Sequence, residues 1–140
     1  HSSKELNALL EHKVILTLYD DKQYIGVLDR DRYHCSCYYI DGEKRLTFRK
    51  SHVKKIEDIS KMHNIKLMSE YARAKLKGIK PFEIRLNDRN YEVGDLIKYT
   101  IPDDELLDKM FKDMTFRIIY ITDYAQKDGY IVFTDKLLGE

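Results

Sequence analysis

The stretch KGIKPFEIRLNDRNYEVGD, residues 77–95, packs two glycines, two lysines, two arginines, Asn87 and four acids into a short span. Too few apolar residues remain for a core segment. It reads as a turn-rich polar surface carried on a scaffold, the usual place for a binding site. In register, it resolves into a helix end, Gly78 at the C′ position, a strand over Phe82–Leu86 and a turn over Asn87–Asn90. Strand alternation puts Glu83, Arg85, Asn87 and Arg89 on one face. It puts Phe82, Ile84 and Leu86 on the other, expected to face a core.

Just upstream, Asn64–Met68 is a strand candidate and Ser69 a suitable N-cap for a helix over Glu70–Lys77. Tyr71, Ala74 and Leu76 are expected to face the core, and Arg73, Lys75 and Lys77 to face outward or the rim. Downstream, Tyr91–Gly94 leads into a strand over Asp95–Tyr99. Pro102-Asp103-Asp104 opens a second helix, its acids suited to the helix dipole, with an apolar stripe of Leu106, Leu107, Met110 and Phe111. Met114–Thr122 reads as a long central strand. Tyr130–Thr134 follows the turn Lys127-Asp128-Gly129. The order is β-α-β-β-α-β-β with mostly non-local pairing.

The first sixty residues read differently. Ser2–His12 is an amphipathic helix with capping-box spacing between Ser2 and Glu5 and an apolar face of Leu6, Leu9 and Leu10. Short strands follow at Lys13–Tyr19, Gln23–Leu28, His34–Ile40, Glu43–Arg49 and His52–Ile56. Asp41-Gly42 carries a two-residue hairpin signal. Gly26 inside a strand marks a bend or a close backbone approach. A helix and four or five short strands suggest a small, strongly bent barrel. Glu57–Met62, polar and aperiodic, reads as the linker between two units.

Two families come into view from these motifs. KVILTLYDDKQYIGVLDRDRYHCSCYYID (13–41) and LTFRKSHVKKI (46–56) resemble the two Sm motifs of Sm-like domains, over residues 3–57. HNIKLMSEYARAKLKGIKPFEIRLNDRNYEVGD (63–95) resembles the ASCH domain of the PUA-like superfamily, over residues 63–136. Its matching positions are His63, Tyr71, Gly78, Lys80, Phe82, Glu83, Arg85, Asn87, Asp88, Arg89, Gly94 and Asp95. The fold class expected is therefore α+β or mainly β. An N-terminal helix and a five-stranded Sm-like bent barrel precede an ASCH pseudobarrel with two helices. The resemblance implies a cleft over the first helix of the pseudobarrel and the strand after it, where superfamily members bind RNA or modified nucleotides.

Composition limits the function. The chain has 140 residues and a formal net charge of +1, so any nucleic-acid face must come from local segregation of charge. Lys66, Arg73, Lys75, Lys77, Lys80, Arg85 and Arg89 outnumber Glu70, Glu83 and Asp88. A second basic run holds Lys44, Arg45, Arg49, Lys50, Lys54 and Lys55, with Arg45, Arg49, Lys50 and His52 as its candidate surface. Interleaved with Tyr33, Tyr38, Tyr39 and Phe48, it reads either as a stacking nucleic-acid surface or as a solvated barrel face over a core of those rings. Tyr is abundant, at 11 residues, and Trp absent, so many rings suit half-exposed contact surface. Cys35 and Cys37, one residue apart on an expected strand, are not expected to pair with each other. With His34 and His52 they lack zinc-knuckle spacing, so no metal and no cofactor is expected. No membrane span and no signal peptide is visible, and the expected compartment is the cytoplasm. A leading His1-Ser2-Ser3 has the look of an affinity-tag remnant.

Arg can pair bidentately with phosphate or guanine and Asn can read a base edge, so the row Glu83, Arg85, Asn87, Arg89, with Lys80 and Asp88 beside it, is a reader of base and phosphate. The competing reading is a solvated ion-pair ladder of Glu83 with Arg85 and Arg89. The motif implies that His63 sits at the cleft mouth, while a lone His beside a strand reads as a structural hydrogen-bonding residue. One ASCH-related group resembles an amidohydrolase of acetylated cytidine that uses a Lys, a Thr three residues on and a distant Glu. Lys80 matches the Lys, but Glu83 stands where the Thr nucleophile would be. Ribonuclease chemistry would draw on Glu83 or His63 as base, with Lys80 and Arg85 as a clamp. The expectation is an RNA- or nucleotide-binding protein, more a binder than an enzyme. The alternatives are an enzyme on RNA or a modified nucleoside, and a phage-type protein that sequesters a signalling nucleotide. A homo-oligomer through the Sm-like part completes the expected partners.

Overall fold

The computed structural model describes residues 2–34 and 37–139; Cys35, one of the candidate zinc ligands, lies outside them. The chain divides into two compact units, residues 1–60 and 61–140. It is mostly β with a few helices. Among the described residues no helix is long and apolar enough to cross a membrane.

The first unit begins with α1, Ser3–Asn7. Ser2 Oγ accepts from the Glu5 amide at 3.2 Å, as the capping spacing predicts. The helix is shorter than its apolar periodicity implies. Glu11 takes a positive φ of 66°, which ends helical geometry before His12. Leu6 is still fully buried, and Leu9 and Leu10 pack on the same core. Five strands follow: β1 Lys13–Leu18, β2 Gln23–Arg30, β3 Cys37–Gly42, β4 Arg45–Arg49 and, after a 3-10 turn at Lys50–His52, β5 Val53–Asp58. The sheet order is β4-β3-β2-β1-β5, with neighbouring strands antiparallel throughout among the described residues. Glu57 and Asp58 therefore belong to a strand, which shortens the connection between the units.

The Asp41-Gly42 hairpin signal is not where the chain turns. Both residues lie in β3, and Asp41 pairs with Arg45, so the reversal lies over residues 42–44. The reason lies on the neighbouring strand. Gly42 is opposite Gly26 of β2. A Cβ on Gly42 would stand 2.1 Å from the Ile25 carbonyl oxygen, and one on Gly26 would stand 2.6 Å from the Asp41 carbonyl oxygen. The close approach expected at Gly26 is thus real, and its partner is the glycine that had read as a turn.

In the second unit the order is β6 Met62–Lys66, α2 Ser69–Leu76, β7 Phe82–Leu86, β8 Leu96–Thr100, α3 Glu105–Lys112, β9 Phe116–Thr122 and β10 Tyr130–Leu137. It is the β-α-β-β-α-β-β series read from the sequence. The sheet order is β6-β8-β9-β10-β7, with β9 central and β6 parallel to β8. The sheet curls as a half-barrel around Ile65, Ile97, Tyr99, Phe111, Phe116, Ile118, Ile131 and Phe133.

Capping differs in one respect. Met68, not Ser69, is the N-cap of α2. Ser69 lies in the first turn, and its amide and hydroxyl donate to Asp103 at 2.9 and 2.7 Å, so a carboxylate from the α3 approach satisfies this helix start. Gly78, at φ 73°, follows the Lys77 C-cap as expected. Asp104 caps α3 by accepting from the Leu107 amide at 3.0 Å. Of the expected α3 stripe, Leu107 and Phe111 are buried, while Leu106 and Met110 are exposed. A two-residue seam at i, i+4 is all this short helix buries.

Gly42→Ala is expected to lower the stability of the first unit by roughly 1–3 kcal/mol, because backbone on the facing strand cannot yield as a side chain would. Urea unfolding followed by circular dichroism measures it. A variant as stable as the parent would contradict the close packing of β2 on β3.

Candidate functional site

The strand at the centre of the motif is turned over relative to the expected orientation. Alternation holds, but Glu83 is buried and Arg85 half-buried, while Phe82, Ile84 and Leu86 are exposed. The partner strand sets this. β7 pairs with β10 in a register that puts Glu83 opposite Phe133 and Arg85 opposite Ile131. Phe133 and Ile131 point into the core, and residues opposite each other share a face, so Glu83 and Arg85 point inward too. Two hydrogen bonds at the turn hold that register, from the Asn87 amide to the Gly129 carbonyl at 2.8 Å and from the Tyr130 amide to the Lys127 carbonyl at 2.9 Å.

An inward carboxylate needs partners, and the helix supplies one. Lys75, expected outside, is buried with Ala72, while Tyr71 and Leu76, expected in the core, are exposed. Lys75 Nζ lies 2.8 and 3.0 Å from the two carboxylate oxygens of Asp135 and 3.1 Å from Glu83 Oε2. The Tyr99 hydroxyl donates to Asp135 Oδ2. Lys80 Nζ donates to Glu83 Oε2 at 2.7 Å and to the Phe82 carbonyl at 2.9 Å. Arg85 Nη2 donates to Glu83 Oε1 at 3.1 Å. Burial by itself pushes the Glu83 carboxyl up. Lys75 and Lys80 outweigh it and hold the group below its ordinary value. Burial, followed by the charge of Asp135, pushes Tyr99 far up, so it stays a donor. Within this cluster Lys75, Lys80 and Arg85 face Glu83 and Asp135, three cations to two acids.

Lys80, Glu83 and Arg85 of this cluster form one wall of a cleft between the two edge strands, β6 and β7. One cavity of about 370 Å³ is lined by Lys66, Leu67, Met68, Tyr71, Lys80, Glu83, Ile84 and Arg85. A second, of about 480 Å³, takes in Asn64, Lys66, Arg85, Asp88, Arg89 and Tyr91. The two share Lys66 and Arg85. Arg89 Nη1 donates to the Asn64 carbonyl at 2.9 Å and so bridges the turn after β7 to β6. Lys80 Nζ lies 5.2 Å from the Tyr71 ring centre, within cation–π range.

Lys80, Glu83, Arg85, Asp88 and Arg89 therefore line the cleft. Asn87 and His63 are not among the residues lining either cavity. Asn87 Oδ1 accepts from the Tyr91 amide at 2.9 Å and closes the turn. His63 is buried on β6, with Nε2 2.7 Å from Asp95 Oδ2 and its ring centre 4.6 Å from that of Tyr91. Tyr91 links it to the second cavity. Lys66 and Tyr71, marked in the sequence only as a basic residue and a motif position, and Asn64, unmarked there, join the cleft through the fold, and the Lys75–Asp135–Tyr99 cluster likewise forms only in three dimensions. The one available signal was the spacing of Lys75, three residues after the small Ala72 and so on the same helix face.

In the first unit Arg45, Arg49, Lys50 and His52 are all exposed. The Arg45 guanidinium lies 3.8 Å from the Tyr39 ring centre, and Lys50 Nζ donates to Ser3 Oγ at 2.9 Å. Tyr38 and Phe48 are in the core with ring centres 6.1 Å apart, leaving Tyr33 and Tyr39 as the rings on or near the surface.

Residues 62–134 match the model of a protein family described as a domain of unknown function, DUF3850. No curated protein matches the chain.

Because the folded-state pKa of Glu83 lies below its unfolded one, its share of stability is fully present above the ordinary value of 4.5 and is lost as pH falls through the folded value. Urea unfolding across acid pH is expected to show this loss, with a shallower profile in Glu83→Gln. Lys75→Met leaves two buried carboxylates short of a cation and is expected to cost about 3–5 kcal/mol at neutral pH. Equal acid profiles for parent and Glu83→Gln would overturn the assignment.

Proposed function

The chain belongs to the DUF3850 family, and we propose that it binds single-stranded RNA or a nucleotide in the cleft between β6 and β7, without catalysis. The observation that carries this reading is the inward polar face of β7, where Glu83 and Arg85 meet Lys80 in an open, cation-rich cleft. Anionic ligands are drawn to such a surplus. Mixed apolar and charged lining suits a flat base joined to a phosphate.

On this proposal residues 63–136 form an ASCH domain of the PUA-like superfamily and residues 3–57 an Sm-like domain. The element order of the second unit supports the first assignment. So do the tied roles of motif residues: Gly78 and Gly94 both take positive φ, and His63 bonds Asp95. A short capped helix before five short antiparallel strands supports the second. The unpaired edges of β4 and β5 are where copies of that unit would associate.

Binding is favoured over catalysis by the state of Glu83. A general base works best with a pKa near the operating pH. Glu83 is held low instead, with both oxygens already accepting from cations. It also stands where an acyl-accepting hydroxyl would be needed.

Fluorescence anisotropy with labelled single-stranded RNA is expected to show binding that weakens as salt rises. Arg89→Ala and Arg85→Ala are each expected to cost about tenfold in affinity, the scale of a charge-assisted hydrogen bond. No binding at low salt to any strand or nucleotide tested would refute the proposal. Product formed from RNA or nucleoside, and lost in Glu83→Gln, would favour the enzyme reading.

A further inference from the structure

The cleft is two adjoining chambers with one neck. The chamber of about 370 Å³ lies beside Met68, Tyr71 and Ile84, with its charges at the wall. The chamber of about 480 Å³ lies beside Asn64, Asp88, Arg89 and Tyr91. Only Lys66 and Arg85 line both. They come from opposite lips, Lys66 from the last residue of β6 and Arg85 from the penultimate residue of β7. Lys66 is exposed, and among the described residues no hydrogen bond or ion pair engages its side chain, while its backbone pairs with β8. Arg85 is held to Glu83 through Nη2 alone, which leaves the rest of its donor fork open.

We infer that the cleft takes two consecutive nucleotides of a single strand, with the phosphate between them held at the neck by Lys66 and Arg85. This deepens the binding reading above and rests on it. The first chamber offers Tyr71 and the apolar Met68 and Ile84 to a base face, a contact that tolerates any base. The second offers the Asn64 and Asp88 side chains, an amide and an acceptor-only carboxylate, to a base edge or a ribose. Each chamber alone sits at the small end of the range for ligand sites, and the pair spans more than one nucleotide needs. The two residues shared by both chambers are both cations, Lys66 and Arg85, and they stand where a strand would present its linking phosphodiester.

The test uses the full chain and isothermal titration calorimetry with three probes: a dinucleoside monophosphate, the same compound with a neutral methylphosphonate linkage, and the matching nucleoside 5′-monophosphates. The charged dinucleotide is expected to bind about tenfold more tightly than its neutral-linkage analogue, one charge-assisted contact. Lys66→Ala is expected to shrink that difference to what Arg85 contributes, weakening the charged dinucleotide more than its neutral analogue. Lys66 is exposed, so the variant folds as the parent does; matching thermal unfolding checks this. Equal affinity for the two linkages, or a mononucleotide that binds as tightly as the dinucleotide, overturns the two-chamber footprint while leaving a nucleotide-binding cleft standing. Failure of all three probes and of longer RNA overturns both.

Discussion

Lys75 sits with its ammonium between two buried carboxylates, and much of the second unit is arranged around that fact. Taking ions out of water costs several kcal/mol each, a cost offset only when the partners are close and the remaining lone pairs are used. Here the partners come from separate elements: Lys75 from α2, Glu83 from β7, Asp135 from β10 and Tyr99 from β8. The cluster ties α2 to β7 and β10 and fixes the face that β7 presents. The same need for partners draws Lys80 and Arg85 to the cleft wall, so the charges that complete the interior also furnish the surface.

The order of elements was legible because it rests on local signals. Capping spacing at Ser2, the left-handed C′ glycine at Gly78, the acids before α3 and the long apolar β9 each act within a few residues. The facing of β7 was not legible. Phe82, Ile84 and Leu86 look like a buried row, and for a strand judged alone that is the sound inference. The register with β10 overrides it, and register depends on a turn more than forty residues downstream. Lys75 fails to announce itself for the same reason: its acids lie at positions 83 and 135, out of reach of any helical window.

The candidate site divides along the same line. Lys80, Glu83, Arg85, Asp88 and Arg89 were found because they lie in one continuous motif. The opposite lip, Asn64 and Lys66, was not, because it joins the site only when the sheet curls. Of the two readings open for His63, the ring partners Asp95 and Tyr91 suit the structural hydrogen-bonding one. In the first unit, the aromatic residues among the basic run divide between core and surface, which alternation alone could not apportion.

The glycines at 26 and 42 have a consequence for how this sequence can drift. Each is small because the other strand's backbone lies against it, so neither position has a neutral neighbour in sequence space. A shift of one residue in the β2–β3 register would slide one glycine out from under the other and bring a side chain into the gap. The facing of Gly26 and Gly42 therefore pins the register of β2 on β3, while residues 43 and 44 of the reversal stand outside that constraint.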